Sequence, residues 1–372
     1  MLPDAYTSVS LVSNPNAGPV NGLDRDFDDV KYVTTSTLRE SVGLRTLAKS
    51  VPQLWRHGGG ITTDIEQHKG LSTFMIVDAA KRVAATQTPP YFMYLHLNSS
   101  HHPYLPPASH IDNFTEDVDP KTALEITQSK YDDIHELIAN GGLTDTEWDA
   151  VVSMYDAVTS HIDSCVGQLV DAVQQQDGET IIVVVGDHGD LLGEYDLAGH
   201  KFVLHDGLTH VPLVTYGVDG VAHQTDEMVQ PIDVLRTVLS QIGVENEQLE
   251  GIDLTQDHRR FAVTQRSGEN ARKNLRKVRE SNPAFSLPVG SPKTLTAARS
   301  REYKLLYSED STELFRLPDE TTDVKDQHPE PYDKMVSYIS NWLTEHDSGF
   351  TTRRNQALDS DIEDHLSNMG YL

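Results

Sequence analysis

The sequence predicts an α/β domain, with a mostly parallel sheet flanked by helices, followed by a small C-terminal α+β subdomain. Three observations predict this fold. Short β-rich runs alternate with long amphipathic segments up to about residue 250, as in β-α-β units. An unbroken, largely β-branched run at 181–185 is typical of a strand buried on both faces. Beyond residue 251, short strands follow one another closely.

The elements of the α/β domain can be assigned in order from the N-terminus. Residues 8–13 alternate in polarity as a strand does, and a capping box at 63–66 opens a helix. The apolar run 91–97 is the next predicted strand. Residues 109–142 are polar and irregular, which predicts a long loop that passes over the active face. A second capping box, at 144–147, opens a long amphipathic helix.

The remaining elements complete the domain and form the subdomain. A short strand is predicted at 211–215, short antiparallel strands within 294–316, and a helix at 331–345. We therefore predict three parts. They are the α/β domain at 1–250, the α+β subdomain at 251–345, and an acidic polar tail at 346–372.

The composition disfavours several classes of protein. The 372 residues include 57 acidic and 30 basic side chains, giving a formal net charge of -27. A surface this negative disfavours nucleic acid and anionic membranes as partners. No apolar run approaches the roughly 20 residues of a bilayer span, and the first residues lack the features of a secretory signal. We therefore expect a cytoplasmic protein. The single cysteine, Cys165, excludes a disulfide framework within one chain.

The acidic residues are spread over the whole chain, which contains only 13 lysines. This composition resembles that of haloarchaeal proteins, because molar salt shortens the Debye length to about 3 Å and screens the repulsion between acidic groups. The alternative is an ordinary acidic protein of a mesophile. The one strongly basic run, 272–279, is typical of a solvated helix face, and it could also attract an anionic substrate.

The candidate chemistry follows the predicted strand 181–185. Asp187 and His188, flanked by Gly186 and Gly189, come directly after this strand. Open α/β sheets bind their ligands at the carboxyl ends of strands. A carboxylate oxygen and an imidazole nitrogen at this point can face one cation. The alternative is a strand-to-loop turn capped by the aspartate.

The pattern Gly-Asp-His-Gly-Asp-x-Leu-Gly-Glu at 186–194, then Gly-His-Lys at 199–201 and Val-Pro-Leu at 211–213, resembles the sulfatase family of the alkaline phosphatase superfamily. Further segments that resemble the family in the same order are His-x-Pro-Tyr-x-Pro-Pro at 101–107, the helical segment 155–163, and the C-terminal segments 301–307, 313–319 and 323–326. The resemblance covers most of the chain. It implies metal-dependent hydrolysis of a small sulfate ester or a sulfated glycan.

The resemblance also implies a divalent cation and its ligands. Asp187 and His188 are expected to bind this cation, which is Ca²⁺ in typical sulfatases. A carboxylate-rich site would also suit Mg²⁺ or Mn²⁺, and the imidazole of His188 leaves Mn²⁺ or Zn²⁺ open. Asp190 is expected to orient the ligand loop rather than bind the ion. His200 is expected either to line the site or to make a structural hydrogen bond.

Two catalytic side chains are implied by the same resemblance. Lys201 is expected to bind a sulfate oxygen and to neutralise the departing ester oxygen. His101 is expected to contact the sulfate or to protonate the leaving group. Both roles fit sulfuryl transfer, which depends on positioning and on neutralising negative oxygens.

Two family motifs are not found in these 372 residues. They are the paired-Asp metal motif after the first strand and Cys-x-Pro-Ser-Arg, whose cysteine matures to the formylglycine nucleophile. Cys165 is followed by Val-Gly-Gln within a predicted helix, so we expect a buried core residue and assign no nucleophile. We therefore expect little turnover by this chain alone, and pairing with an upstream polypeptide.

Three alternatives stay open. The first is a metal-dependent phosphodiesterase or phosphonate hydrolase of the same superfamily. The second is a non-catalytic pseudoenzyme that binds sulfated or other anionic glycans. The third is a truncated or split gene, for which the upstream DNA would encode the paired Asp and Cys-x-Pro-Ser-Arg motifs.

Overall fold

The structure is a computed structural model that describes residues 2–14, 17–18, 22–34, 37–56, 69–111, 113–115, 118–131, 133–176, 178–218, 228–244 and 249–346. The described chain forms two compact units. The first unit comprises the described residues of 2–132 and 144–180. The second unit comprises the described residues of 133–143 and 181–346. The domain boundaries expected at 250 and 345 stay predictions.

The strands of the described chain are β1 (Thr7–Val12), β2 (Asp29–Tyr32), β3 (Tyr91–His96), β4 (Ile182–Val185), β5 (Leu191–Leu192), β6 (Ala198–Gly199), β7 (Leu213–Tyr216), β8 (Ala262–Arg266), β9 (Leu295–Arg299), β10 (Tyr303–Tyr307) and β11 (Thr312–Arg316). The helices are α1 (Leu38–Arg56), α2 (Lys69–Thr86), α3 (Ala108–Ile111), α4 (Pro120–Ser129), α5 (Ile134–Ala139), α6 (Asp145–Gln174), α7 (Asp206–Thr209), α8 (Pro231–Gln241), α9 (Gly268–Ser281) and α10 (Pro329–Glu345). None of these helices has the length and apolar character that a membrane span requires.

A parallel sheet of order β2-β1-β3 forms the centre of the first unit. β1 is the middle strand, and its Val9, Leu11 and Val12 are buried. Parallel neighbours need a crossover connection, and α1 and α2 lie between β2 and β3 along the chain. The core of this unit joins β1 to both helices through Val42, Met75 and Ile76 among others. The prediction of a parallel sheet flanked by helices is confirmed.

The long helix α6 begins where the second capping box predicts it. The Thr144 backbone N–H donates to Glu147 Oε2 at 3.0 Å, and the Thr144 hydroxyl donates to the same oxygen at 2.9 Å. The apolar face of α6 is buried at Trp148, Val151 and Met154 and continues to Cys165. The first capping box, at 63–66, lies outside the described residues.

The expectation that residues 109–142 are irregular is wrong. This segment contains α4 and α5, and each begins at an aspartate that caps the free N–H groups of the first turn. Asp119 accepts from the Thr122 backbone N–H at 2.9 Å, and Asp133 accepts from that of His135 at 2.9 Å. Asp119 followed by proline is a helix-start signal, and the polar composition of the segment obscured it.

In the second unit, β4 pairs with β7 in antiparallel register, and no other described strand pairs with either of them. The expectation that the strand at 181–185 is buried on both faces is wrong for the described chain. Val183, Val184 and Val185 are 39%, 38% and 42% exposed. β-Branched residues favour the extended backbone, but burial on two faces requires covering layers that these residues do not specify.

The C-terminal part of the second unit is an antiparallel sheet of order β11-β10-β9-β8 with α10 packed against it. Its core joins the sheet residues Ala298, Leu305 and Leu314 to Met335 and Ile339 of α10. The predicted short antiparallel strands and the helix beyond residue 330 are therefore present, as the predicted α+β subdomain requires. Most of the predicted tail at 346–372 lies outside the described residues.

Candidate active site

The loop after β4 is fixed by a close backbone approach. A Cβ atom on Gly189 would lie 2.0 Å from the carbonyl oxygen of Gly207, so only glycine fits at this position. The Gly189 N–H donates to the carbonyl of Leu208 at 2.9 Å. This contact holds the loop against α7, and the loop continues into the short antiparallel pair β5-β6.

His188 presents one ring nitrogen for a ligand. Its Nδ1 lies 2.8 Å from the Gly189 carbonyl oxygen. A carbonyl oxygen only accepts hydrogen bonds, so this contact assigns the proton of the neutral ring to Nδ1 and leaves the Nε2 lone pair unprotonated. Nε2 lies 3.9 Å from Asp187 Oδ2. That spacing allows both atoms to bind one divalent cation at typical bond lengths of roughly 2.0–2.6 Å.

Asp190 and His200 form the second half of the cluster. His200 Nδ1 lies 2.7 Å from Asp190 Oδ1, and Asp190 is only 9% exposed. The rings of His188 and His200 are 4.2 Å apart between centroids. His188, Asp190 and His200 each offer one ligand atom within 4.8 Å of the other two. The structure therefore brings together three side chains of types that commonly bind metals, with Asp187 beside His188.

The Asp190–His200 contact bears on the roles expected for these residues. A carboxylate that accepts from one ring nitrogen of a histidine fixes the ring and directs the other nitrogen toward a metal. In that arrangement Asp190 orients and His200 binds. Direct ligation by Asp190 is equally compatible with the spacing. The assignment of Asp187 and His188 as the ligands stays a prediction.

The donor set fits a divalent cation. One carboxylate and two imidazoles converge at the loop, and the Asp187 carboxylate lies 3.9 Å from one of these imidazoles, that of His188. Mixed oxygen and nitrogen ligands suit Mn²⁺ and Zn²⁺. Ca²⁺ prefers six to eight oxygen ligands, so a Ca²⁺ ion would need oxygen atoms beyond these four side chains.

Lys201 follows His200 directly and is half-buried. Burial lowers the pKa of its ammonium group, and the positive charges of Lys277 and Lys273 lower this pKa further. The negative charges of Asp190 and Asp133 raise the pKa of Lys201. An anionic oxygen bound at this ammonium group would stabilise its charged form. The site therefore combines a cluster of side chains that are chemically suited to bind a cation with an adjacent lysine.

His101 belongs to the first unit. It is buried in the loop that follows β3, where its backbone N–H donates to the Asn98 carbonyl at 3.3 Å. Its Nδ1 lies 2.8 Å from the His102 carbonyl oxygen. As in His188, this contact assigns the proton of the neutral ring to Nδ1. Its expected role toward the sulfate or the leaving group stays a prediction.

Cys165 is a buried thiol on α6. Only 3% of its surface is exposed. Burial raises the pKa of the thiol to about 11, although the positive charge of Lys81 opposes this shift. The side chain is therefore protonated at neutral pH and is a poor nucleophile.

Sequence reasoning missed the buried ion cluster that anchors α7. The fully buried Lys304 on β10 lies 2.9 Å from Asp206 Oδ1 and 2.8 Å from Glu320 Oε2. Arg299 on β9 adds a 2.9 Å contact from Nη2 to Asp206 Oδ2. The cluster ties the segment that follows Lys201 to the C-terminal sheet. A lysine within the apolar strand at 303–307 is the sequence signal that could have indicated it.

Three solved structures resemble this chain. The phosphonate monoester hydrolase of Agrobacterium radiobacter has a TM-score of 0.65 and 17% sequence identity. The match covers 92% of this chain and 78% of the hydrolase chain. The phosphonate monoester hydrolase from Silicibacter pomeroyi has a TM-score of 0.58 and 15% identity, with coverages of 91% and 78%. The putative sulfatase yidJ from Bacteroides fragilis has a TM-score of 0.53 and 18% identity, with coverages of 76% and 59%. Identities this low show a shared fold.

Sequence comparison shows the family. The uncharacterized sulfatase YidJ of Escherichia coli (strain K12) is 22% identical over 240 residues, which cover 60% of this chain and 45% of the relative. The chain thus spans about half the length of this curated relative. Residues 10–244 match the family model described as Sulfatase, which is more than half of the chain. The chain belongs to the sulfatase family of the alkaline phosphatase-like superfamily.

Proposed function

We propose that this protein takes part in the divalent-cation-dependent hydrolysis of sulfate esters. The observation that carries the proposal is the convergence of His188, Asp190 and His200 within 4.8 Å of one another, directly before Lys201. Cation ligands beside a lysine suit a reaction in which negative oxygens must be bound and neutralised. We propose a small sulfate ester or a sulfated glycan as the substrate.

Each side chain of the loop has a distinct task in this proposal. Asp187 and His188 hold the cation, and Asp190 orients His200 through the 2.7 Å hydrogen bond. When bound, the cation polarises the sulfate and stabilises the charge of its oxygens. The ammonium group of Lys201 donates to a sulfate oxygen and neutralises the ester oxygen as it departs.

The proton and the nucleophile complete the proposed chemistry. For His101 we propose the role that the family resemblance implies, which is contact with the sulfate or protonation of the leaving group. For the nucleophile we propose a source outside these 372 residues, such as an upstream polypeptide. The protonated, buried thiol of Cys165 supports this proposal, because it offers no activated sulfur.

Hydrolysis of phosphonate monoesters is the second candidate function. Two of the solved structures described above are named as phosphonate monoester hydrolases, and their TM-scores of 0.65 and 0.58 exceed the 0.53 of the putative sulfatase. A tetrahedral phosphonate presents negative oxygens much as a sulfate ester does. The same cation and the same lysine would therefore serve both reactions.

The ion and the cellular setting are further proposals. We propose Ca²⁺, as the family resemblance implies, with Mn²⁺ as the competitor that the imidazoles of His188 and His200 favour. The charge of -27 spread over the sequence supports a cytoplasm of high salt, as in haloarchaea. If the protein hydrolyses no ester, the alternative function is non-catalytic binding of anionic glycans.

The proposed function is tested by supplying the missing nucleophile. The full chain is mixed at high salt with Ca²⁺ or Mn²⁺ and a polypeptide that carries the paired Asp and Cys-x-Pro-Ser-Arg motifs, with its formylglycine in place. We expect this mixture to release nitrophenol from 4-nitrophenyl sulfate faster than from a nitrophenyl phosphonate ester. The reverse order would establish the phosphonate reaction instead. No release from either ester in the mixture would contradict both.

A further inference from the structure

Two consecutive residues of the site loop have a left-handed backbone. Tyr195 has a φ of 60° and a ψ of 24°, and Asp196 has a φ of 58°. Among the described residues, these two are the non-glycine residues with positive φ. Aspartate is one of the side chains that tolerate this conformation, whereas a bulky tyrosine is an outlier there. A conformation of this kind persists only where surrounding contacts hold it.

Both residues lie in the turn that joins β5 to β6. The two strands are paired so that Leu191 lies opposite Gly199. Asp190 and His200 are therefore the next opposed positions, and Asp190 Oδ1 lies 2.7 Å from His200 Nδ1. In a hairpin the register of the strands is fixed by the conformation of the turn. Because each strand has only two residues, this turn decides whether Asp190 and His200 face one another.

The tyrosine side chain anchors the turn to a fixed point of the second unit. The Tyr195 hydroxyl donates to the main-chain carbonyl of Glu320. The Tyr195 ring meets that of His205 edge-on, at 5.5 Å between centroids. Glu320 is only 3% exposed, its Oε2 lies 2.8 Å from Lys304 Nζ, and its Oε1 accepts from the Asp206 backbone N–H at 2.7 Å. The acceptor of the Tyr195 hydroxyl is thus held by contacts that do not involve the turn.

We propose that Tyr195 is a positioning residue for cation binding by His200. Its hydroxyl holds the turn 193–197 in the conformation that places His200 against Asp190. This inference rests on the proposed function, because it takes the cluster of His188, Asp190 and His200 as the cation site. A carboxylate only accepts hydrogen bonds, so the contact with Asp190 assigns the proton of the neutral His200 ring to Nδ1 and leaves the Nε2 lone pair for a cation.

The test removes the hydroxyl and keeps the ring. In Tyr195→Phe the contact with His205 is retained, while the hydrogen bond to Glu320 is lost. Mn²⁺ is titrated into the full chain and followed by calorimetry. We expect the affinity for Mn²⁺ to fall about three- to tenfold, as the net contribution of one hydrogen bond allows. The turn then relaxes from its left-handed backbone, and His200 loses its fixed orientation.

Tyr303→Phe is the matched control. It removes a tyrosine hydroxyl that lies 3.3 Å from His328 Nδ1 in the C-terminal sheet. This variant should bind Mn²⁺ as tightly as the parent protein. Circular dichroism and thermal melting confirm that both variants are folded at the temperature of the titration.

A spectroscopic signature separates positioning from a general loss of stability. Electron spin-echo measurements on bound Mn²⁺ detect the nitrogen nuclei of coordinated imidazoles. The parent protein should show both imidazoles, those of His188 and His200. In Tyr195→Phe the nitrogen signal per bound ion should fall to that of one imidazole, whereas a merely structural role would leave this signal unchanged.

Each outcome decides between the inference and the proposed function. An unchanged affinity in Tyr195→Phe, an unchanged nitrogen signal per bound ion, or an equal loss of affinity in Tyr303→Phe would overturn the inference alone. Absence of Mn²⁺ binding by the parent protein would overturn both. Mn²⁺ binding that depends on the Tyr195 hydroxyl, without hydrolysis of any ester, would support the positioning role and remove only the proposed function.

Discussion

The Nζ atom of Lys304 lies 2.9 Å from Oδ1 of Asp206, although Lys304 is fully buried. The same ammonium group lies 2.8 Å from Glu320 Oε2. Asp206 is the first residue of α7, and Lys201 precedes it by five positions. A charge inside the C-terminal sheet thus holds the end of the loop that carries the candidate site.

Replacing Lys304 by methionine should destabilise the protein by about 3 kcal/mol, because it leaves the buried carboxylate of Glu320 without its positive partner. The free energy of unfolding, measured with denaturant, checks this value. Lys293→Met is the matched control, since Lys293 pairs with Glu309 and Asp310 at the surface. We expect little change for this control. Equal losses in the two variants would show that the buried cluster has no special role.

The same cluster makes stability depend on pH. Burial raises the pKa of Asp206, but hydrogen bonds and charges from Arg299 and Lys304 outweigh it and hold this pKa at about 2, below its ordinary value of 3.8. The contribution of Asp206 to stability is therefore fully present above about pH 4 and is lost as the pH falls toward 2. The difference in unfolding free energy between the parent and Asp206→Asn should shrink over that interval. A difference that stays constant from pH 5 to pH 2 would contradict the assignment.

Stability should rise with salt. The net charge of -27 is distributed along the whole chain, and molar salt screens repulsion between acidic groups at the surface. Thermal melting in dilute and in molar KCl gives the comparison, with KCl raised in steps to separate screening from weak ion binding. An equal or lower melting temperature at high salt would remove the inference of a high-salt cytoplasm.

Local patterns in the sequence predicted the order of the elements well. The alternation at 8–13 predicted β1 (Thr7–Val12), and the capping box at 144–147 predicted the first residue of α6. The exposure of Val184 on β4 could not be predicted, because it depends on which strands and helices lie beside β4. Asp119 before Pro120 did contain a helix-start signal, which the surrounding polar residues obscured.

The site loop could be predicted, but its internal contacts could not. The motif drew attention to Asp187, His188 and Lys201, which all lie in one loop region. The hydrogen bond between Asp190 and His200 joins residues ten positions apart. It forms because the chain folds back through the antiparallel pair β5-β6, which consists of strands of two residues each. Strands this short leave no periodic pattern in a sequence.

The purified chain should not hydrolyse sulfate esters at a rate typical of the family, because the described residues of the candidate site offer potential cation ligands and a lysine without an activated nucleophile. Electrostatic groups alone leave rates of roughly 10³–10⁴ over water in hydrolases that were stripped of their nucleophile. Release of nitrophenol from 4-nitrophenyl sulfate at high salt measures this rate. Full turnover by the chain alone, lost in Lys201→Ala, would show that a nucleophile lies among these 372 residues.

The proposed chemistry depends most on a divalent cation bound at the loop after β4, so calorimetric titration of the full chain with Mn²⁺ and with Ca²⁺ tests it most directly. We predict weak binding, because Ca²⁺ and Mn²⁺ take six or more ligands and the loop offers at most four side chains. We also predict that Asp187→Asn abolishes this binding. Asp196→Asn removes the same charge in the same segment. Asp196 has a positive φ of 58°, which asparagine also tolerates, so this control should leave binding unchanged. Tight binding that survives Asp187→Asn, or equal loss in both variants, would contradict cation binding through Asp187.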